Sequence, residues 1–246
     1  SIEVVFTPSS TGLVSDAIVM QYDNGATTTT SNRQVQGTGA STANLTITES
    51  DPYSYGSITI GNNGTHIFTV TNTGGVTATA MGGAGLAAPF DFVGGAYPGT
   101  AGTCGVTLAA AGSCDIEVVF TPSVAGLRSD AIQIDYNNGL VGTNVTRQVQ
   151  GTGLTPASLS ISESDPYDYG NVVNGGACSY AFTITKGGGS NATAMSEVGL
   201  AGAWDFVGAT YPGGGDCGAT LAAGGSCTIG IEFTPAGLGA DSDTIE

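Results

Sequence analysis

Apolar and polar residues alternate along short runs of this chain. In HIFTVTN (His66–Asn72), Phe68 and Val70 fall on one side of an extended strand, and Ile67 and Thr69 on the other. DIEVVF (Asp115–Phe120) and AIQIDY (Ala131–Tyr136) alternate in the same way. Over the middle of the chain the pattern predicts strands near Asn44–Thr48, Gly56–Ile60, Thr65–Asn72, Thr77–Met81, Phe90–Val93, Cys114–Thr121, Asp130–Tyr136 and Asn144–Gln150. YDNG (Tyr22–Gly25) and YNNG (Tyr136–Gly139) put Asn-Gly between two such runs, and that dipeptide tolerates the positive φ of a tight hairpin. Phe68, Phe120, Phe182 and Phe233 lie on apolar strand faces and are expected in the core.

Composition favours the same reading. Of 246 residues, 41 are Gly and only 10% are charged, so the Glu, Lys and Arg of long helices are scarce. Short Thr, Val, Ile and Phe runs broken by Gly and Asn indicate an all-β chain. The net charge is −16, and the four basic residues, Arg33, Arg128, Arg147 and Lys186, are scattered. That balance excludes a nucleic-acid interface, which needs clustered cations. It also opposes an anionic membrane surface. No apolar run is long enough to span a bilayer.

The chain repeats itself. RQVQGTG occurs at Arg33–Gly39 and again at Arg147–Gly153, and ESDPYSYG from Glu49 returns as ESDPYDYG from Glu163, both at an offset of 114. FDFVGGAYPG from Phe90 returns as WDFVGATYPG from Trp204. CGVTLAAAGSC from Cys104 returns as CGATLAAGGSC from Cys217 at an offset of 113, one glycine-loop residue having been lost. This length suits one immunoglobulin-like sandwich rather than a solenoid turn. The expected fold class is therefore all-β, with tandem immunoglobulin-like β-sandwich repeats of about 114 residues. Residues 1–39 read as the C-terminal strands of a partial repeat, 40–153 as a complete repeat, and 154–246 as a repeat lacking its last strands. Each flanking part would leave an apolar face and a sheet edge uncovered. A longer covalent array is expected to cover them. Strand exchange between copies is disfavoured because Thr228–Glu246 and Ser1–Val19 carry the same stretch, which tail-to-head joining would supply twice.

The ordered motifs of the repeat resemble the bacterial choice-of-anchor D domain. They are Tyr55–Gly56, Phe68–Gly75 (FTVTNTGG), the set Cys104, Leu108, Gly112, Ser113 and Cys114, then Val119–Pro122 with Gly126 and Ser129–Asp130, and the closing Gly151–Gly153. The resemblance covers the whole chain. It implies Ig-like modules, distantly similar to those of ciliary and centrosomal proteins, in large secreted or surface-anchored bacterial proteins. It implies no enzyme activity. Two positions depart within the second copy: Lys186 stands where Asn72 stands, and Cys178 where Gly64 stands.

Candidate chemistry is sparse. Cys104/Cys114 and Cys217/Cys227 share a C-x9-C spacing. Zinc sites pair closer cysteines and add further ligands, and redox sites prefer C-x-x-C, so a disulfide within each repeat is preferred. That implies an oxidising, extracellular or cell-surface location. Cys178 is left as a free thiol, read as inert in preference to a bond with a neighbouring chain. No cofactor is called for. Calcium is the one metal considered, at Glu49, Asp51, Glu163 and Asp165 of ESDPY, against the preferred reading of a solvated Asp-Pro turn. Trp204 and Tyr211 suggest either a sugar platform or core aromatics, and core is preferred. His66 is expected as an ordinary exposed strand residue with no triad signature, and Lys186 as an unsupported isopeptide candidate. Asn44, Asn63, Asn144 and Asn191 each open an N-x-T sequon.

These readings point to a non-catalytic structural segment: a stalk, adhesin spacer or extracellular fibre. Its partners would be neighbouring Ig-like repeats of the same chain or of identical chains. The alternatives are a module gripping a glycan or protein through its end loops, and a fibre subunit assembling by strand exchange. No catalytic residue is nominated.

Overall fold

The computed structural model describes residues 1–245. Those residues form sixteen strands and no helix. In chain order they are β1 Gly12–Asp23, β2 Thr28–Gly39, β3 Leu45–Ile47, β4 Tyr53–Thr59, β5 Gly64–Asn72, β6 Thr79–Ala84, β7 Phe90–Phe92, β8 Ser113–Phe120, β9 Gly126–Asn137 and β10 Gly142–Leu154. Then come β11 Ser158–Ile161, β12 Cys178–Gly187, β13 Ala192–Thr193, β14 Trp204–Phe206, β15 Thr220–Leu221 and β16 Ser226–Phe233. By internal contact the chain divides into two compact units. One comprises Ser1–Tyr55, Gly64–Phe120 and Ser129–Gln150, and the other Gly56–Asn63, Thr121–Arg128 and the residues from Gly151 onward.

Two four-stranded sheets carry the core of the first unit. Their orders are β3-β5-β8-β7 and β4-β10-β9-β6. Lettering β3 and β4 as the two halves of strand A, and β5 to β10 as B to G, gives A-B-E-D facing A′-G-F-C, the arrangement of an immunoglobulin-like sandwich. Alternation puts Phe68 and Val70 of β5 and Ile116, Val118 and Phe120 of β8 inside from one sheet. Ile132, Ile134 and Tyr136 of β9 and Val149 of β10 come from the other. The two layers touch directly: the ring of Tyr55 on β4 lies 5.9 Å from Phe90 on β7 and 5.8 Å from Phe120. The β9–β10 hairpin turns at Asn138, whose side-chain oxygen accepts from the amides of Leu140 and Val141, and Gly139 takes φ +97°.

The strand ends differ from expectation at two places. β4 begins at Tyr53 rather than Gly56, because Tyr53 and Tyr55 pack inward. The edge strand β6 is displaced toward Ala84, its pairing with β9 shifting register between Thr79 and Gly82.

In the second unit β11-β12-β16-β14 repeats the A-B-E-D order. Phe182, Ile184, Phe206, Ile229 and Ile231 fill its core. The short pair β13-β15 lies where Ala78 and Leu108 make an isolated bridge in the preceding copy. The remaining pair, β1-β2, is a twelve-step antiparallel ribbon running from Gly12↔Gly39 to Asp23↔Thr28. Its turn repeats the Asn device, with Asn24 accepting from Ala26 and Thr27 and Gly25 at φ +91°.

Candidate functional site

The cysteines sit on the loop that enters the E strand. Cys104 is bonded to Cys114, the second residue of β8, and Cys217 to Cys227, the second residue of β16. Each bond ties an irregular loop to the core strand it precedes. Cys178 opens β12 as a half-buried free thiol.

The acidic motif serves the strands around it. The strand A ladder stops at Ile47, and Glu49 Oε1 takes over by accepting from the Thr69 amide of β5 (3.1 Å). Glu163 repeats this on the Thr183 amide of β12 (2.9 Å). Asp51 faces Arg147 of β10 at 3.6 Å and accepts from the Gln148 amide. Asp165 makes no hydrogen bond or ion pair among the described residues. No group of three or more His, Cys, Asp or Glu side chains gathers in a metal-holding arrangement among the described residues.

Asn72 is the polar anchor that sequence reasoning noticed only as a point of comparison. It is fully buried at the end of β5. Its oxygen accepts from the amides of Asn44 and Gly74, and its nitrogen donates to the carbonyls of Val76, Leu108 and Ala109. One amide side chain thereby joins strand A, the loop after strand B and the cysteine loop. A polar residue in phase with Phe68 and Val70 was the available signal. Lys186, its counterpart, is also buried, and its Nζ donates to the Gly188 carbonyl.

Tyrosines bridge the layers. Tyr55 donates to the Val118 carbonyl (3.0 Å) and Tyr169 to the Ile231 carbonyl (3.2 Å). Burial pushes both phenols well above their ordinary range, and pushes Tyr97 up to about 12. His66 is not the exposed residue expected. It shares the inward face of Phe68 by the two-residue period, stacks on Tyr53 at 4.0 Å, and its Nε2 is buried without a partner. Trp204 is half-buried and stacks on Phe233 (4.3 Å), whereas Tyr211 meets Phe206 edge-on (5.7 Å). The two rings form no shared platform.

One surface is a large open trough of mixed polarity, with Glu163, Asp165 and Asp243 beside its apolar side chains. Beside β11-β12-β16-β14 lies a trough of ≈ 1060 Å³ lined by Ile161, Tyr167, Tyr169, Trp204 and Phe233. On β11, Leu159 and Ile161 are 47% and 39% exposed, whereas their counterparts Leu45 and Ile47 are 3% and 2% exposed. The stretch after Pro166 is not a strand, although its counterpart β4 is one. An A′ strand needs strand G to hydrogen-bond, and none is present beside it among the described residues.

No protein-family model matches the chain, and no curated protein sequence matches it. Among solved structures it is similar to the VesB protease of Vibrio cholerae, at 18% identity and a TM-score of 0.36 over 45% of this chain and 32% of that one. It is similar to a Porphyromonas gingivalis protein of unknown function, at 13% identity and a TM-score of 0.36 over 77% and 83% of the two chains. The ASH/PapD-like domain of human CEP192 aligns at 14% identity and a TM-score of 0.32 over 46% of this chain and 86% of that one. The chain spans about a third of the length of the Vibrio protein. Likenesses this distant transfer neither activity nor partner.

Proposed function

We propose that the chain is a non-catalytic structural segment of an extracellular protein, built of Ig-like modules of the choice-of-anchor D type. One observation carries the reading. Polar residues that recur in both copies hold strands together: Glu49 and Glu163 on strand ladders, Tyr55 and Tyr169 on carbonyls, and the four paired cysteines on their loops. Among the described residues, no three His, Cys, Asp or Glu side chains converge as a metal-ligand set would. The function that follows is mechanical. Each module buries its own core, so modules add length, and each disulfide withholds its loop when the chain is pulled.

Stretching single molecules tests this. With disulfides intact, each module should pay out about 30 Å less chain than after reduction, roughly 3.4 Å for each residue locked in the loop. Alkylation of protein taken from its producing cell should modify Cys178 alone. Five reactive cysteines in that material, or identical contour lengths before and after reduction, would sink the extracellular mechanical role.

A further inference from the structure

We propose that the Gly188–Ser190 loop of the second copy is a docking surface for the β4–β5 turn of the copy before it, with the linker Leu154–Pro156 gripped between them. The inference deepens the mechanical reading and rests on it only for the view that copies follow one another in an array. By internal contact the turn Gly56–Asn63 belongs to the second compact unit, together with the residues from Gly151 onward. Its sequence belongs to the first copy. A segment of one copy that packs as part of the unit built by the next is a surface of recognition between them.

The linker is held from both sides within that unit. Ile60, just past β4, donates its amide to the Leu154 carbonyl (2.8 Å). From the loop, the amides of Gly189 and Ser190 donate to the Thr155 carbonyl (3.0 Å each). The Gly189 amide also reaches the Thr155 hydroxyl (2.7 Å). The approach requires glycine at Gly188, which has φ +77° and where a Cβ would collide with the Pro156 carbonyl.

The turn and the loop also meet directly. The hydroxyl oxygens of Thr59 and Ser190 lie 2.6 Å apart. Ser190 has one hydroxyl proton and spends it on the Thr155 carbonyl (3.1 Å), so Thr59 is the donor between the two. A relay therefore runs from Thr59 through Ser190 to Thr155, beside the backbone bond from Ile60 to Leu154. Bonds that end on two successive linker residues hold the linker as a joint rather than a swivel.

The residues at this joint are matched in kind. At the equivalent places the turn of the second copy carries Val173, and the loop of the first copy carries Val76. The Thr59–Ser190 contact is polar on both sides, and its equivalents are apolar. A hydroxyl set against a valine would lose its partner, so the turn of one copy must suit the loop of the copy that follows it. The joint thereby selects which copies can be neighbours.

Two experiments on the full chain test this, and neither measures contour length, so the joint and the mechanical role can fail separately. In a Cys178→Ser background, Thr59→Cys and Ser190→Cys together should form a disulfide within one chain, at a rate independent of protein concentration. Both introduced thiols should then resist alkylation. Thiols that stay open to alkylation under oxidising conditions, or that couple only between separate chains, would overturn the contact. The second experiment needs no engineered bond. Thr59→Val and Ser190→Val should each lower the urea midpoint, and the double variant should lose less than the two single losses combined, because its valines pack on each other. Losses that simply add would overturn the matching of turn to loop.

Discussion

Asn72 shows how much one buried polar residue can organise. Its fully buried side chain meets two amides and three carbonyls. Asn72→Ala should therefore cost about 3 kcal/mol or more in urea unfolding, since each buried group left unpaired costs roughly 1–3 kcal/mol. A loss below ~1 kcal/mol would mean that water reaches them. Lys186 occupies the equivalent place with a single side-chain bond, to Gly188. Lys186→Asn should stabilise its module by about 1 kcal/mol, read from the same unfolding curves. Phe120 is a packing counterpart: fully buried, stacked on Phe90 at 4.8 Å and touching Tyr55. Phe120→Ala should cost about 3–5 kcal/mol. A cost under ~1 kcal/mol would place that ring outside the core.

At the scale of elements, the two copies of strand A′ compare the same sequence with and without a partner. ESDPYSYG runs into β4, and ESDPYDYG runs into irregular chain. Their composition is nearly identical, so propensity does not distinguish them. Hydrogen bonding to strand G does. The cysteine loops behave differently, because their closure is covalent and local. Replacing Cys104 and Cys114 together by Ser should cost about 2.5–3 kcal/mol in the chain-entropy view of a short loop. Equal denaturant midpoints for the variant and the parent would show that backbone hydrogen bonds alone hold the loop.

For the whole molecule the relevant variable is alkaline pH. Tyr55, Tyr97 and Tyr169 hold their protons more tightly in the folded chain than the ordinary 10.0, through burial above all. Their folded pKa values are raised, so their contribution is complete below about pH 10. It is lost as pH climbs toward 12, where Tyr97 titrates, because the unfolded chain releases protons that the folded chain keeps. The denaturation midpoint should fall over that interval, with phenolate absorbance rising alongside. A midpoint unchanged between about pH 9 and about pH 12 would contradict the buried placement of these rings.

Alternation, Asn-Gly turns and the 114-residue echo were enough to read an all-β chain and most of its strands directly from the residues. Those signals are local: a two-residue period needs only the pleat, and a hairpin only its own backbone angles. The inward facing of Phe68 follows in the same way. What local signals do not contain is partnership. His66 reads as an ordinary strand residue until Tyr53, thirteen positions earlier, is found stacked on it. Glu49 and Asp51 read as one acidic pair, yet one accepts from the Thr69 amide of β5 and the other faces β10. Leu45 and Leu159 hold matching places in the two copies and differ in exposure, because burial depends on whether a second sheet covers them. Strand character and turn positions belong to the sequence alone. Which faces are covered and which polar groups are spent were decided only by the packing of one sheet on another.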